Sequence, residues 1–141
     1  EPKKMSVIEE LIRQEKNGTI SFGNYLFDSK KKVLDFQVKG DLYKVKTFQE
    51  ITKLEKNGKM ILEAVPGATI HNFDMTEKGV SFVVEAKEDL QLTLELEPDV
   101  EYKILVDNVN VGRINTNMTG KVNFSIEMQE NITKTVEIKK M

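Results

Sequence analysis

His71 is the only histidine in the chain, so any imidazole proton transfer near neutral pH falls to this one residue. Cysteine is absent, which excludes thiolate nucleophiles, disulfides and cysteine-bound zinc or iron–sulfur centres. No serine stands in a Gly-X-Ser-X-Gly elbow. A metal centre would have to join His71 to carboxylates from elsewhere, and no ligand spacing points to one. In Ile70-His71-Asn72-Phe73, strand alternation places His71 on the face of Phe73 and Met75. That predicts a histidine packed in or at the margin of a core with its polar edge satisfied. Among the carboxylates, Asp35, Asp41 and Glu63 lie in or beside expected strands and are the ones to inspect for a paired-acid cleft. Acids such as Glu95 and Glu127 alternate with apolar residues and read as solvated sheet faces. Gly18, Gly23 and Gly40 are isolated turn glycines, so a phosphate-cradling loop is missing. The expectation is no catalytic residue, no cofactor and no metal ligand.

Recognition chemistry is hardly more explicit. Aromatic and basic residues come nearest to one another between Tyr25 and Lys46, giving Tyr25, Phe27, Lys44 and Lys46 as a candidate ligand surface. Strand parity weakens it, because Tyr43 falls on the opposite face from Lys44 and Lys46. The run Lys30-Lys31-Lys32 reads as a solvated loop. A net charge of −2 lacks the positive field that phosphate-backbone binders need, so no nucleic acid is expected.

The elements that would position these groups are mostly strands. Leu90-Gln-Leu-Thr-Leu-Glu-Leu96 alternates leucine with polar residues, a period that only a strand puts on one face. Further strands are expected at Val80 to Ala86, Tyr102 to Val106, Val109 to Val111, Val122 to Met128, and Val136 to Ile138. Upstream, Thr19 to Phe22 and Tyr25 to Phe27 read as two short strands about Gly23-Asn24. Val33 to Val38 and Leu42 to Phe48 flank a three-residue connection, Lys39-Gly40-Asp41. Residues 48–56 allow two readings. Asn57-Gly58 favours a hairpin, while Phe48, Ile51 and Leu54 fall at helical spacing behind a capping box. Ser6 to Glu9 is another capping box, and Val7, Ile8, Leu11 and Ile12 form a helical stripe ending at Asn17-Gly18. The fragment Glu-Lys-Asn-Gly occurs at 15–18 and again at 55–58, read as turn chemistry used twice.

The resulting expectation is mainly β: an antiparallel β-sandwich, or a barrel-like fold, with a short N-terminal amphipathic helix. A single domain would span 1–141, with a lead over 1–5, the helix over 6–17 and a β-rich body over 19–140. No apolar run approaches the ~20 residues of a membrane-crossing helix. With no cysteine either, a cytoplasmic setting is expected and no membrane.

Several stretches resemble a family of short proteins from anaerobic Gram-positive bacteria. They are Ile8 to Ile12, Gly18 to Tyr25, Gly40 to Phe48, Val65-Pro-Gly67, Leu94 to Pro98 and Val106 to Gly112. Members are sometimes labelled endosialidase, which implies glycan hydrolysis. Sialidases of the usual kind hold the sialic acid carboxylate with three arginines, and this chain has two, Arg13 and Arg113. Lysine does not replace a bidentate clamp, so no catalytic residue is carried over. Separately, Tyr102 to Gly112, with Gly120 and Phe124 to Ile126, is similar to the last strands of β-sandwich modules that accompany bacterial polysaccharide enzymes. Three functions follow as expectations. The first is a non-enzymatic interaction module, with a protein partner or a homo-oligomer. The second is a carbohydrate-binding accessory, and the third a glycan hydrolase.

Overall fold

The computed structural model describes residues 7–141, and every regular element among them is a β-strand. The first six are β1 (Ile12–Gln14), β2 (Ile20–Phe22), β3 (Lys31–Val38), β4 (Asp41–Phe48), β5 (Ile51–Lys56) and β6 (Lys59–Val65). They are followed by β7 (Thr69–Thr76), β8 (Gly79–Glu85), β9 (Leu90–Glu95) and β10 (Glu101–Val106). The last are β11 (Val109–Asn115), β12 (Lys121–Ile126) and β13 (Thr133–Lys140). They form two antiparallel sheets, in the orders β1-β2-β7-β8-β13-β10-β11 and β12-β9-β6-β5-β4-β3. The sheets do not close into a barrel.

Alternation dictates what the sheets share. Val45, Leu54, Leu62, Leu92, Leu94 and Val122 point inward from the six-stranded sheet and are fully buried. Phe22, Ile70, Phe82, Val84, Val136 and Ile138 meet them from the seven-stranded sheet in one hydrophobic cluster. Each large side chain contributes about 1.5–3 kcal/mol by leaving water. Leu90, Leu92 and Leu94 are buried as their spacing requires, while Leu96 is half-buried beyond the strand end.

The N-terminal helix is not seen among the described residues; Ser6, the first half of its capping box, lies outside them. Glu9 and Glu10 form a turn, Leu11 has φ 72°, and Ile12 pairs with Phe22 as β1 meets β2. A helix of three turns is marginal in water without tertiary support. Pairing with β2 instead buries Ile12 in the core and satisfies the backbone across a sheet. Asn17-Gly18, read as a helix stop, turns this β1–β2 hairpin. Asn57-Gly58 does the same between β5 and β6, so 51–56 is strand and the helical reading fails there too.

Two further expectations change. Tyr25 to Phe27 is a turn rather than a strand. The β3–β4 connection is two residues long, because Val38 already pairs with Asp41 and both Lys39 and Gly40 have positive φ (51° and 86°). That is the geometry whose twist matches the flanking strands. Lys31 and Lys32 belong to β3 rather than to a loop.

At one end the two sheets are stitched by buried threonines. Thr47 and Thr52 hydroxyls lie 2.7 Å apart in the six-stranded sheet. Thr52 Oγ1 donates to the Ala68 carbonyl at 2.8 Å and accepts the Ala68 amide at 3.1 Å. Thr47 Oγ1 accepts the Asn24 amide at 2.9 Å, and Thr69 Oγ1 donates to the Gly23 carbonyl at 2.9 Å. Ala68 leads into β7 and Gly23 leaves β2, so the network crosses from sheet to sheet with its hydroxyls satisfied. Gly23 is required there: φ is +98°, and a Cβ would stand 2.5 Å from the Ala68 carbonyl oxygen.

Candidate functional site

The outer face of the six-stranded sheet lines up three lysines on adjacent strands. Register alone aligns them. Lys32 of β3 pairs with Lys46 of β4, which pairs with Lys53 of β5, which pairs with Glu63 of β6. Glu63 pairs with Thr93 of β9, and Thr93 with Asn123 of β12, so one row crosses the whole sheet. Three lysines therefore stand side by side at about 4.8 Å per strand. Like charges directly opposite one another destabilise a sheet.

Their surroundings divide these lysines. Glu55 Oε2 lies 3.7 Å from Lys53 Nζ and 3.9 Å from Lys44 Nζ, and serves both. Lys32 and Lys46 form no ion pair with any described residue, and neither does Lys30. Burial first, and then the charges of Lys53, Lys30 and Lys32, hold the Lys46 ammonium below the usual lysine range. At the far end of the row the side chains are neutral. Asn123 Nδ2 donates to Thr93 Oγ1 at 2.7 Å, Ser125 Oγ donates to Gln91 Oε1 at 2.7 Å, and Gln91 also bonds Asn123.

On the outer face of the seven-stranded sheet the polar groups are buried. His71 pairs with Val83, and Glu85 with Thr69, so the two are diagonal neighbours on β7 and β8. His71 Nε2 and Glu85 Oε1 face each other at 4.0 Å, with side chains 7% and 4% exposed, and neither atom has a hydrogen-bond partner among the described residues. This corrects the sequence reading of His71. A register shift at Asn72 (φ 54°) breaks the alternation. Phe73 turns inward to pack on Phe22 and Phe82, while His71 turns outward, and its polar edge is not satisfied. Beside it, Ser21 Oγ donates to Glu15 Oε2, which holds the Glu15 carboxyl below its usual range. Arg13 Nε reaches the same oxygen at 3.0 Å.

The candidate surface drawn from sequence is only partly brought together. Lys44 and Lys46 share the outer face of β4. Tyr25 is buried in the turn after β2, and burial, then the carboxylates of Glu85 and Glu130, raise its hydroxyl above the usual tyrosine range. Phe27 is half-buried, with Lys31 Nζ 5.7 Å from its ring centroid. Lys32 and Lys53 were missed. The signal for Lys53 was available in Gln49-Glu50: a two-residue turn between Phe48 and Ile51 places Lys46 opposite Lys53.

The three acids singled out for cleft chemistry do not converge. Asp41 lines a cleft of about 190 Å³ with Tyr43 and Lys56, Asp35 one of about 290 Å³ with Leu34 and Leu42, and Glu63 lies beside Lys53. A larger cleft of about 530 Å³ is lined by Tyr25, Gln49, Glu50, Pro66, Gly67, Lys87 and Glu88. His71 lines none of these. Among the described residues no aromatic side chain is fully exposed; Phe27, Phe36, Tyr43, Phe48 and Phe124 are half-buried.

One edge is also open. Among the described residues β11 pairs only with β10 and ends the seven-stranded sheet. Val109 pairs with Val106, whose other neighbour, Val136, is buried in the core, so Val109 stands on the core side of the sheet. It is nevertheless 62% exposed, and Val111 beside it is 57% exposed. No protein-family model, no curated protein and no solved structure matches this chain.

Proposed function

We propose that the chain is a non-enzymatic β-sandwich interaction module that binds protein, a partner or a second copy of itself, at the β11 edge. The observation that carries this reading is Val109: a core-side valine, 62% exposed, on a strand whose outer backbone edge is unpaired. The other edges are guarded in ways that discourage strand addition. β1 has three residues, β3 carries Lys31 and Lys32 and a register shift, and β12 presents Lys121, Asn123 and Ser125 to solvent. β11 has a bulge at Val111 near its hairpin, but Gly112 to Asn115 runs on regularly beyond it. An added strand would extend the sheet there and cover both valines. A cytoplasmic setting belongs to the same proposal.

Size-exclusion chromatography with light scattering, across a range of concentrations, and pull-down with the intact chain test it. The expected result is self-association or a captured protein that Val109→Lys abolishes without loss of folding. A strict monomer that captures the same proteins with and without Val109→Lys overturns it.

A further inference from the structure

We infer that the outer face of β3, β4 and β5 is a binding site for a soluble oligophosphate, a compact anion with several closely spaced charges. The inference is independent of the β11 edge. Three observations carry it. First, Lys32, Lys46 and Lys53 occupy one register row on three adjacent strands. A lysine on an edge strand has a simple explanation, since it keeps other strands from pairing. Lys46 and Lys53 are on interior strands with no edge to guard, so that explanation stops at Lys32.

Second, the row lacks internal neutralisation where it is most crowded. Glu55 is shared by Lys44 and Lys53, and Glu63 flanks Lys53 on the next strand. Lys30, Lys32 and Lys46 form no ion pair with a described residue, and Glu63 offsets the charge around Lys46 only as the weakest of its neighbours. A ligand with multiple negative charges supplies what the fold leaves out. Third, the row fixes the ligand's chemistry. Ammonium groups are point charges that suit phosphate oxygens approached from several directions, whereas the arginine fork suits planar bidentate contacts to a carboxylate or a single phosphate. Three positions at strand spacing span about 10 Å between the outer two. Glu63 then ends the row with a negative charge. A short chain of phosphates fits this span; a long polyanion would run onto Glu63. Exposed aromatics for stacking bases are also missing from this face.

The test is calorimetric titration of the intact chain with inorganic tripolyphosphate, with sulfate as the single-anion control, at low and at physiological salt. Tripolyphosphate should bind at least tenfold more tightly than sulfate and weaken as salt rises. Lys46→Gln should weaken it about threefold, within the range for one partly exposed charge contact. The triple variant Lys32→Gln, Lys46→Gln, Lys53→Gln should abolish it. Because Lys32→Gln and Lys46→Gln remove repulsion, those single variants should melt at or above the temperature of the parent. The triple variant also loses the Lys53–Glu55 contact, and a parent-like circular-dichroism spectrum for it separates lost binding from lost folding. Equal affinity for sulfate, or unchanged affinity in the triple variant, overturns the inference. So does binding to vesicles carrying phosphorylated lipid headgroups with none to free tripolyphosphate, which would make the face a membrane contact.

Discussion

The two sheets build one core from the same inward alternation, yet they treat charge on their outer faces in opposite ways. The six-stranded sheet spreads Lys32, Lys46 and Lys53 over its solvent side, the first exposed and the other two half-buried, where water and salt moderate their repulsion. The seven-stranded sheet encloses His71 and Glu85 together, 4.0 Å apart, with no other polar partner for the facing atoms. Repulsion at a surface is weak and adjustable. A buried polar pair is a commitment, because both members are kept from water while the atoms that face each other make no hydrogen bond. The contrast teaches that charge outside a core can be arranged for an external partner or for an internal one, and the two arrangements respond differently to substitution.

The largest effect should come from breaking the enclosed pair. His71→Leu removes the imidazole that the buried Glu85 side chain faces, and should destabilise the fold by about 1–2 kcal/mol in urea unfolding. The double variant His71→Leu, Glu85→Leu should recover most of that loss. A double variant as unstable as the single one would show that the two residues are not coupled. On the exposed face the sign reverses. Lys46→Gln should stabilise the unliganded chain by about 0.3 kcal/mol at low salt, and the gain should shrink as salt is added. A loss of stability would mean that Lys46 is held by contacts that outweigh its neighbours' charge.

The smallest effect is in pH. The Lys46 ammonium titrates lower in the folded chain than in the unfolded one. Its protonated form therefore opposes folding throughout neutral pH, and that opposition lifts as pH rises towards the usual lysine range. The stability difference between Lys46→Gln and the parent should narrow across that alkaline window. A constant difference would assign the effect to packing rather than to charge.

Legibility in the sequence followed the same division. Alternating runs such as Leu90 to Leu96 and Val122 to Ile126 declare their strand and their inward face, because periodicity is local. The first segment misleads for the same reason. Val7, Ile8, Leu11 and Ile12 fit a helical stripe, and only the distant pairing of Ile12 with Phe22 decides for a strand. The repeated Glu-Lys-Asn-Gly was a stronger clue than the stripe, since both copies turn hairpins. The lysine row was hidden because opposition between strands depends on turn length, and the bulge in β3 shifts its register by one residue. His71 was placed on the wrong face because no local pattern announces the bulge at Asn72.

The position of β13 has a consequence for how the chain is made. No pairing joins β8 to β10; β13, the last strand in chain order, lies between them and pairs with both. A ribosome that has delivered β10 and β11 has produced a hairpin with nowhere to dock, while β1, β2, β7 and β8 already form a sheet with one unfinished edge. The gap to be bridged is one strand wide, about 10 Å between the flanking backbones. Until residues 133–140 emerge, that edge and the apolar side of β10 are open to other chains. β13 thus joins the two parts of the sheet, and without it the edge of β8 and the β10–β11 hairpin have no common partner.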